Sequence, residues 1–154
     1  MNAELELKKA GFVLPKGAKA IGSYIPVLQI GNMLYLSGVL SKTVEGEVFK
    51  GRAGADSTVE RGEQAARLAV LNALGMIRDH LGNLDQVERI VRLVGYVQSA
   101  PEFQEHPKVL NGASDLLIKI FGDNGRHTRS AIGVSSLPVG ALVEIELTLQ
   151  VASQ

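Results

Sequence analysis

Val143, Ile145, Leu147, Leu149 and Val151 alternate without a break with Glu144, Glu146, Thr148 and Gln150. No other stretch restricts the possible folds as tightly. Successive side chains of a strand point to opposite faces, so this segment buries its apolar set in a core and turns two carboxylates the other way. Such a strand needs neighbours in a sheet and a layer of helices on its apolar side.

Residues 126–134 read as another strand, leading into a Leu137-Pro138-Val139-Gly140 turn. With the turn centred near Leu137 and Pro138, the two strands are expected to form a hairpin whose facing residues have numbers summing to about 275 or 277. That register sets Arg129 on the face of Glu144 and Glu146, opposite or diagonal to them. A slip of one residue would send a lone guanidinium into the core, at high cost. The expected product is a guanidinium beside a carboxylate, able to hold a small carboxylate and handle a proton. A plain cross-strand ion pair contributing ~0.2–1 kcal/mol is the competing reading.

Periodicity and turn residues supply the rest. Residues 2–10 suit a short amphipathic helix ended by Gly11. Residues 24–30 and 33–40 suit two strands paired around Gly31-Asn32. Residues 43–54 suit a loop or short third strand. Ser57 and Glu60 are spaced as a capping box, and residues 58–81 place Ala66, Val70, Ala73 and Ile77 on one helical face, stopped by Gly82-Asn83. Residues 89–98 form an apolar run suited to a buried strand. Pro101 and Pro107 interrupt the chain, then Val109, Ala113, Leu116, Leu117 and Ile120 define a second helix ended at Gly122. The order β-β-(β)-α-β-α-β-β predicts an α+β domain, a mixed sheet covered on one face by two helices. The uncovered face predicts self-association with the sheets inside.

Composition excludes several functions. Lys plus Arg and Asp plus Glu each number 16, so no long-range field favours nucleic acid or an anionic membrane. Three Tyr, four Phe and no Trp make stacking platforms for RNA scarce. Absence of cysteine removes disulfides, thiolate nucleophiles and Cys-ligated zinc. His80, His106 and His127 are too scattered for a metal site. His80 suits a helix C-terminus, and His106 reads as a loop residue. His127, two residues from Arg129, is either a solvated loop side chain or a donor entering the site. The polar first ten residues do not read as a signal peptide, and no apolar run approaches the ~18 residues of a membrane-spanning helix. A cytoplasmic location is the expectation.

Taken together, Arg129-Ser130-Ala131-Ile132-Gly133-Val134 and Leu137-Pro138-Val139-Gly140-Ala141-Leu142-Val143-Glu144-Ile145-Glu146 resemble the signature of the RidA/YjgF family, also known as endoribonuclease L-PSP. Gly22-Ser23-Tyr24 is similar to the family's Gly-Pro-Tyr, and Leu36-Ser37-Gly38 also matches. The resemblance spans residues 20–151, leaving 1–19 as an N-terminal extension of one domain, 1–154. It implies a chorismate-mutase-like fold, a homotrimer with ligand clefts between subunits, and hydrolysis of reactive enamines and imines such as 2-aminoacrylate to 2-keto acids and ammonia. By motif position Arg129 would grip the substrate carboxylate and Glu144 would position the attacking water. Tyr24 would line the cleft, and the Ser37-Gly38 backbone would contact ligand. Ala131 stands where Cys is common, Asn111 matches an Asn near the cleft, and Glu146 is structural. The resemblance implies no cofactor and no metal.

That assignment has a chemical rationale. Arg presents a planar fork that matches a carboxylate and cannot lose its charge. Hydrolysis then needs a held water and a carboxyl to move a proton. Val39, where Gln is common, and the segment around residues 110–115 mark a divergent branch. Two alternatives stand beside the hydrolase: a non-catalytic module binding small carboxylates or a partner, and, disfavoured by charge and aromatic content, an endoribonuclease.

Overall fold

A computed structural model describes residues 2–20 and 22–153. Three helices form where the sequence supplies caps and an apolar face. α1 (Ala3–Lys9) is capped by the Asn2 side chain, which accepts from the Leu5 N–H. α2 (Val59–Leu81) is capped by Thr58, whose Oγ1 accepts from the Arg61 N–H at 3.1 Å. The expected Ser57–Glu60 box is therefore not the cap; Ser57 donates to Asp56 instead. α3 (His106–Phe121) starts three residues before its first apolar position and carries Pro107 in its first turn, where a missing N–H costs nothing. His106, expected in a loop, is thus helical.

The strands are β1 (Val27–Ile30), β2 (Met33–Leu36), β3 (Val39–Leu40), β4 (Val87–Gln98), β5 (Thr128–Val134) and β6 (Val143–Val151). β1 and β2 pair around Gly31-Asn32 as expected, with Ile30 opposite Met33, but both are shorter than the sequence suggests. The third strand lies at 39–40 rather than within 43–54. Sheet order is β1-β2-β6-β4-β5, with β3 also pairing β6. All pairs are antiparallel except β4 with β5.

This order overturns the expected hairpin. β4 lies between β5 and β6, and β5 runs parallel to β4. Arg129 pairs with Leu93, which pairs with Leu147, so Arg129 sits on the helix-covered face. Glu144 pairs with Tyr96, which pairs with Ile132, so Glu144 sits on the other face. The reason is topological. α3 makes the crossover from β4 to a parallel neighbour, and residues 135–142 are long enough to cross β4. β6, apolar at every second position, takes an inner place, and the Gly- and Ser-bearing β5 takes the edge.

The core lies between the sheet and the helices. Leu34, Ile90, Leu93, Val97, Ile145, Leu147 and Leu149 meet Ala66, Ala69, Ala73, Ile77, Leu110 and Leu117. α1 packs through buried Ala3 and Leu7 against α3 and the turn at residues 84–86, while α2 and α3 cover the sheet. α2 and α3 approach closely at Gly62 and Gly112. A Cβ on Gly112 would strike the backbone carbonyl of Glu63 and lie 2.8 Å from its Cα. The opposite face carries Glu144 and Glu146 together with exposed Leu28, Ile30, Tyr35 and Ile132.

Candidate functional site

Glu144 lies on β6 beside the break between β2 and β3. Between β2 and β3 the chain turns through Ser37-Gly38, and β3 returns to β6 with Leu40 opposite Glu144. The Glu144 carboxyl lies over Gly38; a Cβ there would collide with its Oε1 and lie 2.9 Å from its Cδ. Only glycine permits that approach. Burial first, then the charge of Glu146, raise the Glu144 carboxyl above its ordinary pKa. Glu146 accepts a hydrogen bond from the Tyr96 hydroxyl at 2.8 Å, which in turn raises the tyrosine. No hydrogen bond to the Glu144 carboxylate occurs among the described residues. A half-buried carboxyl with a raised pKa, facing open space, is suited to move protons.

That space is a cavity of about 450 Å³. It brings Tyr24, Ser37, Gly38 and Glu144 together, as the motif positions imply. Ser37 donates its hydroxyl to the Ile25 carbonyl at 2.7 Å and its N–H to the Pro26 carbonyl at 3.0 Å. Of the two expected backbone contacts, Gly38 is therefore the better placed.

Arg129 belongs to a second cluster. Its Nη1 donates to Asn111 Oδ1 at 2.9 Å and to Ser114 Oγ at 3.1 Å, and its Nη2 to the Pro107 carbonyl at 3.3 Å. Pro107, Asn111 and Ser114 lie at helical spacing on α3. The guanidinium on the helix face is thus hydrogen-bonded rather than lone, which removes the cost expected there. No carboxylate pairs with it among the described residues, and Nε–H with one Nη2–H remain for a ligand. Ala131, next but one along β5, faces the helices and packs against the core.

His127 is neither a solvated loop residue nor a free donor. Its Nδ1 lies 2.6 Å from the Gly125 carbonyl and its Nε2 2.9 Å from Ser114 Oγ. A carbonyl demands an N–H, so Nδ1 carries the proton and Nε2 accepts from Ser114. Burial above all, together with nearby Arg129, lowers its pKa despite the Gly125 carbonyl. In a nitrogen-detected NMR titration, His127 is expected as the Nδ1–H tautomer with a midpoint below that of free histidine. A midpoint above it would break this arrangement.

Glu144 and Arg129 lie on opposite faces, two strand spacings apart (about 10 Å). Within one protomer they do not converge. Ser114, Asn72, Met76 and Lys42 were not singled out by sequence reasoning. Ser114 hides among the apolar positions of α3, and the other three carry no motif. Among the described residues no cluster of His, Asp or Glu is arranged to hold a metal. No described helix is long and apolar enough to cross a membrane.

Comparison with known proteins gives a consistent result. Residues 4–151 match the family described as "YjgF/chorismate_mutase-like, putative endoribonuclease". Protein TCP17 of Trypanosoma cruzi is 40% identical over 145 residues, covering 94% of this chain and 91% of TCP17. A crystal structure from Shewanella oneidensis, described under the same endoribonuclease name, is 37% identical with a TM-score of 0.94, covering 98% of this chain and 100% of its own. RidA from an Antarctic Psychrobacter shares the fold at 23% identity and a TM-score of 0.63, over 88% of this chain and 94% of RidA. The Shewanella structure thus superposes on this chain more closely than RidA does.

Proposed function

Because the chain belongs to the YjgF/chorismate-mutase-like family, we propose that it hydrolyses reactive imines and enamines of amino acids to 2-keto acids and ammonia, in clefts between the subunits of a homotrimer. One observation carries the reading: the half-buried Glu144 carboxyl, raised in pKa, lies over Gly38 in a cavity shared with Tyr24 and Ser37. An imino acid needs a proton relay at its C=N bond and a cation at its carboxylate. Glu144 takes a proton from water as the oxygen adds to C2 and returns it to nitrogen; the hydroxyl proton of the adduct then passes through Glu144 to nitrogen as C=O forms and the C–N bond breaks, releasing ammonia. Arg129, held by α3 with donors to spare, serves the carboxylate.

The separation of the two groups supports assembly. Glu144 faces the open side of the sheet and Arg129 lies at the edge strand β5. One protomer's Glu144 and a neighbour's Arg129 make a complete cleft. The apolar Leu28, Ile30, Tyr35 and Ile132 on the open face suit burial against another copy.

Imino acids generated in place by an amino-acid oxidase provide the test. The purified protein is expected to speed loss of the imine, and sedimentation to give three protomers. Arg129→Ala is expected to lose both turnover and 2-keto-acid binding. No acceleration with any side chain would sink the hydrolase reading. Keto-acid binding without turnover would put a carboxylate-binding module in its place.

A further inference from the structure

The cavity beside Glu144 is larger than a three-carbon acid needs. Its volume of about 450 Å³ falls in the range (about 300–1,000 Å³) of sites for drug-sized ligands. Beyond the motif residues, its wall is built by Asn72 and Met76 of α2, by Val39 and Leu40, by Val139 and by residues 18–20. Most of these are apolar.

The wall is held in place. Gly17 N–H donates to Asp79 Oδ2 at 2.7 Å, and Arg78 Nη2 donates to the Pro15 carbonyl at 3.2 Å. Both tie the N-terminal segment to α2 just before it reaches the cavity. Asn72 Nδ2 donates to the carbonyls of Lys42 and Leu68, each at 2.8 Å, which fixes its side chain. Val139 keeps a positive φ of 53°, a conformation a β-branched residue rarely adopts.

Resting on the hydrolase reading above, we propose that this cavity receives the substrate's side chain and selects imino acids with long aliphatic or thioether side chains, of isobutyl or methylthioethyl size, over those derived from alanine or serine. Each methylene moved from water to such a wall contributes about fourfold in affinity. A methyl group would leave most of the cavity to water. Lys19 is exposed and can keep its ammonium in solvent while its stem covers apolar surface. Lys42 also lines the cavity, so an acidic side chain is the competitor to exclude.

Calorimetric titration of the intact protein with 4-methyl-2-oxopentanoate, 4-methylthio-2-oxobutanoate, pyruvate and 2-oxoglutarate separates the cases. The first two are expected to bind on the order of 30-fold tighter than pyruvate. Ala20→Trp, which fills the cavity from its N-terminal wall, is expected to reduce that ratio to within about threefold. Ala18→Trp, at an exposed coil position, serves if the first variant does not fold. Equal or tighter binding of pyruvate, tightest binding of 2-oxoglutarate, absence of any binding, or a ratio untouched by tryptophan would each overturn the inference. Imines of leucine, methionine and alanine are then compared for hydrolysis. A long-chain binding preference without hydrolysis upholds the cavity's selectivity and overturns the enzymatic reading alone.

Discussion

Glu144→Gln and Arg129→Ala are each expected to be inactive toward imines, and their mixture to recover turnover. Removing the proton-transferring carboxyl is expected to cost about 10²–10⁴ in rate while leaving keto-acid binding nearly intact. Removing Arg129 abolishes binding as well. When equal amounts of the two variants are unfolded together and reassembled at random, about one cleft in four receives an intact Glu144 from one copy and an intact Arg129 from another. Near a quarter of wild-type turnover is therefore expected in the steady-state assay. Mixtures that stay inactive, with exchange verified by mass, would show that the two groups do not meet across subunits. Glu144→Gln also has a stability signature. A raised carboxyl pKa in the fold favours the folded state below the unfolded pKa, and that advantage is lost as pH rises through the folded one. The variant is therefore expected to gain melting temperature over wild type at pH 8, with the gain vanishing toward pH 4.

The largest loss of stability is expected from Gly112→Ala. Its added methyl meets the Glu63 backbone, with the carbonyl carbon at 2.7 Å and Cα at 2.8 Å. Backbone inside a helix cannot step aside, so α2 and α3 must separate. The cost is about 3 kcal/mol, read in urea denaturation as a lower midpoint or as a melting temperature about 6–12 °C lower. Gly31→Ala is the control. Nothing lies within 4 Å of its Cβ, but its φ is 59°, so about 1–2 kcal/mol of backbone strain is expected. Equal effects of the two substitutions would contradict the close helix contact.

Local pattern was legible in the sequence wherever period decided the matter. The alternation of Val143 to Val151, the apolar face of residues 59–81 and the turn at Gly31-Asn32 all appear as read. Pairing was not legible. Nothing in residues 126–146 reveals that β4 intervenes, because a hairpin and a crossed connection present the same strands and the same turn residues. Arg129 shows the consequence. Its face depends on which strand it pairs with, and a register argument built on the wrong partner places it beside Glu144 when it lies under α3. His127 misleads for a related reason: its partners Ser114 and Gly125 are set by the packing of α3 against β5. Tyr24, Ser37, Gly38 and Glu144 nonetheless share one cavity, because the break between β2 and β3 and the segment before β1 both come beside β6.

The order in which the chain is made meets the order of the sheet awkwardly. β6 follows every other described element along the chain, yet it pairs with β2, β3 and β4 and joins two otherwise separate pieces. Until Val143 to Val151 emerge, the inner edges of β2 and β4 have no partner, and the apolar surface of α2 lacks much of the floor it rests on. A nascent chain in that state exposes the unpaired strand edges on which aggregation begins. A chain cut short before residue 143 is therefore no smaller version of this protein but one without a joined sheet. The sheet closes only once residues 143–151 have been made.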